Sequence, residues 1–166
     1  MMTKKVLLVA LGVFLSAYGM AQENISFPFQ GGSTVMNRFF RDSVIVTPDI
    51  IAKRATGTVI LKFTADDKGI VSKIVIYYAD DLLLTPPVIE ALKKSTHKWI
   101  ILNHEKFHDF IIPFSISFNI PMTGNGTVQQ AYYDFYLHHK PVVTLDQIPL
   151  NEATLLPTIV VKYNVQ

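Results

Sequence analysis

The sequence predicts an α+β fold: a three-stranded antiparallel sheet packed against one long helix, followed by a C-terminal extension. Three observations lead there. Between Thr58 and Thr64, Val59, Leu61 and Phe63 alternate with Thr58, Ile60 and Lys62, which places one set on each face of a strand. The turn residues Asp66-Asp67-Lys68-Gly69 and a β-branched run from Ile70 to Tyr78 follow at once, the pattern of a hairpin. From Asp109 to Asn119, Phe110, Ile112, Phe114, Ile116 and Phe118 alternate with Ile111, Pro113, Ser115 and Ser117 in the clearest strand of the chain.

The elements follow in order. Lys4 and Lys5 precede an apolar run from Val6 to Met20, and Gly19-Met20-Ala21 offers the small residues a signal peptidase reads. Residues 1–21 are therefore expected to be a signal peptide that delivers the chain to the periplasm, an uncleaved inner-membrane anchor being the alternative. Residues 22–28 read as a linker, 29–119 as the domain, and 120–166 as an extension with one or two further strands. Val35, Met36, Phe39 and Phe40 fall on one side of a helix capped by Ser33, and Pro48 opens a short helical turn. Thr85 is the expected cap of the long helix. Pro86 sits at its tolerated first position, and Ile89, Leu92, Thr96 and Trp99 recur at helical spacing. If the first strand runs up, the second runs down, the helix returns, and the third strand lies beside the first. The expected order is second, first, third, with the third strand at an edge. Pro113 agrees, since proline lacks the N–H a central strand donates.

Charge and composition exclude several functions. Without residues 1–21, 13 basic residues balance 13 acidic ones. A neutral chain with no basic run is not built to bind nucleic acid. The 166 residues contain no cysteine, which excludes disulfides and thiol catalysis. No cofactor is expected.

Phe29-Gln30-Gly31-Gly32, the Phe39-Phe40 helix, Pro48, the Gly57-Thr58-Val59 strand start, Phe63 with Asp67 and Gly69, Ala91, Trp99 and the Pro113-to-Phe118 strand together resemble the TonB C-terminal domain family, in versions found in the Bacteroidota. The resemblance covers residues 29–119. It implies a periplasmic domain whose last strand pairs with a short extended segment of an outer-membrane transporter, so that main-chain groups carry recognition. Carried onto this chain, the docking edge is Ile111, Pro113, Ser115, Ser117 and Phe118. The 12 residues from Ala21 to Gly32 reach only about 40 Å, so the sequence reads as a free periplasmic relative rather than a membrane-tethered energy transducer. Its expected partner is an outer-membrane transporter or another envelope protein.

Beyond the resemblance, Leu156 to Tyr163 is a β-branched strand candidate. Thr158, Ile159, Val160 and Val161 are expected to dock on an open sheet edge, in the same chain or in a neighbour by self-association. Ala131 to His139 is an aromatic-rich run, with His138 and His139 read as ending a strand.

The alternative from another class is a zinc metallopeptidase. His104-Glu105-Lys106-Phe107-His108 matches the H-E-x-x-H signature, in which two histidines one helical turn apart hold the metal and the glutamate activates water. That chemistry needs a helix, and the match runs straight into a strand. Ile111 stands where the longer metzincin pattern has Gly. The doublets Asp66-Asp67 and Asp80-Asp81 flank strand ends and read as solvated turns. The chain is thus expected to be a non-enzymatic interaction protein with neither catalytic nor metal-binding residues.

Overall fold

A computed structural model describes residues 27–101, 105–119, 126–144 and 152–165. The elements are helix α1 (Gly32–Ser43), α2 (Pro48–Ala52), strands β1 (Gly57–Asp66) and β2 (Val71–Ala79), a 3-10 turn (Leu82–Leu84), α3 (Thr85–Lys94), β3 (Phe107–Asn119), α4 (Gly126–His138), β4 (Val142–Val143), β5 (Thr154–Leu155) and β6 (Ile159–Asn164).

The expected three-stranded sheet against one long helix is not what forms. The sheet has six strands in the order β4-β2-β1-β3-β5, with β6 also on β3, and the described residues hold four helices. It is mixed: β1 pairs antiparallel with β2 and β3, whereas β5 and β6 run parallel to β3. The third strand is consequently internal. Parallel neighbours need a long crossover, and here the chain between β3 and β5 supplies one, which local patterns do not reveal.

The hairpin turn is dictated by its residues. The Asp66 carboxylate accepts from the Lys68 N–H at 3.0 Å and the Ile70 N–H at 2.7 Å, which closes an Asx-type turn. Gly69 adopts φ 74°, and a Cβ there would sit 2.8 Å from the Trp99 carbonyl oxygen, so only glycine fits.

One face of the sheet is the core. Val59, Leu61, Phe63, Phe110, Ile112, Phe114 and Ile116 are buried there with Met36 and Phe40 of α1 and Val88, Ala91 and Leu92 of α3. At its centre Trp99 lies 4.7 Å from Phe63, 5.1 Å from Phe29 and 5.2 Å from Phe110, ring centre to ring centre. Its indole N–H donates to Ser95 Oγ at 2.9 Å.

Two further expectations of secondary structure need correction. The long helix stops at Lys94 instead of running to Trp99, because His97 turns to φ 68° and its N–H bonds the Gly69 carbonyl at 2.7 Å. Trp99 then bridges Phe29 as an isolated extended pair, and the helix's buried stripe is Val88, Ala91 and Leu92. The aromatic run through His138 is not a strand but a helix of 13 residues, the longest among the described residues. Val128, Ala131 and Phe135 turn inward at helical spacing, while Tyr132, Tyr133 and Tyr136 stay exposed.

Candidate functional site

Where strands end the sheet, backbone donors and acceptors are open to a guest. The expected docking residues on β3 are not in that position, because β5 and β6 cover their side of the strand. The Leu156 N–H donates to the Ile111 carbonyl at 2.8 Å. Main-chain groups alternate sides along a strand, and the β1–β3 ladder runs without a register shift, so Ile111, Pro113, Ser115 and Ser117 direct theirs toward the tail. Pro113 therefore lacks its donor on the tail side, where the ladder breaks. β5 ends at Leu155 and β6 begins at Ile159, with Leu156, Pro157 and Thr158 between. Pro113 and Pro157 thus both lie at this break in the ladder. Phe118 neighbours Tyr163 in register, and its ring lies 6.0 Å from that of Tyr132 on α4.

The tail is fixed by its inward side chains. Phe114 pairs with Ile159, Ile116 with Val161 and Phe118 with Tyr163, and Leu156, Ile159, Val161 and Tyr163 are all buried. The Tyr163 hydroxyl donates to the Ala55 carbonyl at 2.7 Å, and burial pushes its pKa up to about 12 against a smaller opposing effect of the Arg54 charge. A raised tyrosine pKa contributes stability that is complete below pH about 10 and is lost as pH rises toward 12. Tyr163→Phe is expected to cost about 1 kcal/mol at neutral pH from the lost hydrogen bond. It should also flatten the decline in stability between pH 10 and 12, read by urea denaturation at each pH.

Because Ser115 pairs in parallel with Val160, the main-chain groups of Ile159, Val161 and Tyr163 face β3 and those of Val160, Lys162 and Asn164 face outward. Among the described residues no strand pairs with that outer rim. β6 is regular, with side chains strictly alternating buried and exposed. Val160 is 51% exposed.

The opposite end of the sheet differs. β2 departs from register twice against β1, Lys73 lies at φ 48°, and β4 caps Tyr78 and Ala79. Bulges, a lysine and a covering strand are the devices that keep an edge from accepting a guest.

A polar cleft of about 860 Å³ lies beside the start of β3, lined by Thr64, Lys73, Glu105, His108, Asp109 and Glu152 among others. Of its lining residues, Asp109 meets the buried Lys62 ammonium through Oδ2 at 3.0 Å and accepts from Thr64 Oγ1 at Oδ1 at 2.5 Å. Burial works to raise the Asp109 pKa, but the Thr64 hydrogen bond and the Lys62 and Lys73 charges outweigh it and hold the carboxyl below its ordinary range. Both ring nitrogens of His108 are engaged, Nδ1 with Glu105 at 2.7 Å and Nε2 with Thr154 Oγ1 at 2.8 Å. His108 lies in extended strand from Phe107 onward, so it and Glu105 do not share the helix that an H-E-x-x-H zinc site requires. His104 lies outside the described residues, as do residues 1–26 with the expected signal peptide. His138 and His139 turn their Nδ1 atoms to the carbonyls of Asp134 and Tyr136 near the end of α4. Among the described residues no three His, Asp or Glu side chains gather as a metal site, and no helix is long and apolar enough to cross a membrane.

Comparison of the chain with protein-family models, with curated proteins and with solved structures finds no match.

Proposed function

We propose that this chain is an exported, non-catalytic interaction domain that binds an extended segment of an envelope protein by β-strand addition. The mode is that of the TonB C-terminal domain its sequence resembles, with the acceptor moved from β3 to the outer rim of β6. The partner class implied is an outer-membrane transporter or another protein of the cell envelope. One observation carries the reading: β6 presents the outward main-chain groups of Val160, Lys162 and Asn164 on a regular strand, while the other end of the sheet is bulged and capped. Strand addition draws its affinity from such main-chain groups and its selectivity from alternate side chains.

Proline provides the test. At position 162 it removes an outward N–H and leaves the ladder to β3 intact, a substitution that edge strands tolerate. The full chain and its Lys162→Gln variant are expected to capture the same partner from an envelope extract of the source cells. Lys162→Pro is expected to lose it while its circular dichroism and thermal midpoint stay near those of the parent. Equal capture by all three would contradict docking at this rim.

A further inference from the structure

The geometry points to a second copy of this chain as an occupant of the β6 rim, the two strands pairing antiparallel about a twofold axis at Val161; this rests on the edge reading above. The rim's own register narrows the arrangement. Outward groups must face outward groups, so the axis passes through a residue rather than between two. An axis at Lys162 would engage all three outward residues but set two ammonium groups opposite one another, which is unfavourable. Moving the axis to Val161 sets Val160 of one copy against Lys162 of the other, twice by symmetry, and each such pair exchanges two backbone hydrogen bonds.

The side chains suit that register. On the face away from the core, the 51% exposed Val160 gains the aliphatic stem of the opposing Lys162. On the core side the two Val161 residues meet at the axis, and each Ile159 lies beside the opposing Tyr163. Without residues 1–21 the copies carry no net formal charge, with 13 basic and 13 acidic residues, so long-range repulsion does not oppose association. The product is one continuous sheet through both copies, with their bulged β2 ends outermost.

The test uses charge, because Val160 is exposed and tolerates it. Sedimentation equilibrium of the full chain gives the dimer dissociation constant for the parent and three variants. Val160→Glu places two carboxylates against two lysines and is expected to tighten the dimer about fivefold to tenfold. Val160→Lys opposes like charges and is expected to weaken it by a similar factor. Adding Lys162→Glu to Val160→Lys restores opposite charges and is expected to recover the parent value. A chain that stays monomeric throughout, or a dimer constant unmoved by these exchanges, overturns the inference. If partner capture is still lost in Lys162→Pro, the edge reading survives that failure; if capture is also indifferent to proline, both fall.

Discussion

Deleting residues 154–166 is expected to unfold the domain rather than free an edge of the sheet. The deletion removes the buried side chains of Leu156, Ile159, Val161 and Tyr163 and exposes Phe114 and Ile116, which they cover. Burying a large apolar side chain contributes about 1.5–3 kcal/mol, so four of them supply at most about 6–12 kcal/mol. The released segment recovers chain entropy, which offsets part of this loss. A domain's whole stability is only about 5–15 kcal/mol, so what remains of the deficit is a large share of it. Loss of a cooperative urea transition is the expected outcome, and the milder Ile159→Ala should lower stability by about 2–5 kcal/mol. A truncated chain that keeps the parental transition and gains a tendency to associate would make the tail a removable cap and return the docking site to β3.

The second large effect is expected at Trp99. Its ring contacts Phe29, Phe40, Phe63 and Phe110, and its indole N–H is satisfied by Ser95 in a buried setting. Trp99→Ala should cost about 3–5 kcal/mol, since the surrounding rings belong to α1, β1, β3 and the N-terminal bridge and cannot all collapse into the vacated space. Trp99→Phe should cost less, leaving Ser95 Oγ its bond to the Leu92 carbonyl at 2.6 Å. Equal stability of parent and Trp99→Ala would mean that the aromatic cluster does not organise the core.

Local patterns carried part of this architecture. Alternation at Val59, Leu61 and Phe63 and at Phe110, Ile112 and Phe114 marks strand faces, because one face of each strand must be apolar. Gly69 marks the turn because the main-chain oxygen of Trp99 leaves no room for a side chain. What the sequence does not display is which distant segments meet. The run from Ile159 to Asn164 is β-branched enough to read as a strand, yet its parallel register on β3 depends on long-range packing. Pro113 shows how a sound rule led to the wrong edge. It does lack a donor on one side, but that side faces the gap at Pro157 instead of solvent. In α4 the dense tyrosines obscured the inward triplet Val128, Ala131 and Phe135, because exposed aromatic residues dilute the apolar period. The outer rim of β6 is a candidate site only because the tail pairs with β3, a long-range contact that no local pattern encodes.

Amide hydrogen exchange along β6, followed by NMR in the dilute full chain, tests the central claim most directly. Val161 and Tyr163, bonded into the ladder with β3, are expected to exchange slowly, and Val160, Lys162 and Asn164 rapidly, with the latter three becoming protected when the captured partner is added. Slow exchange at those three amides in the dilute chain alone, or partner-induced protection confined to Val71 through Tyr77 of β2, would contradict it.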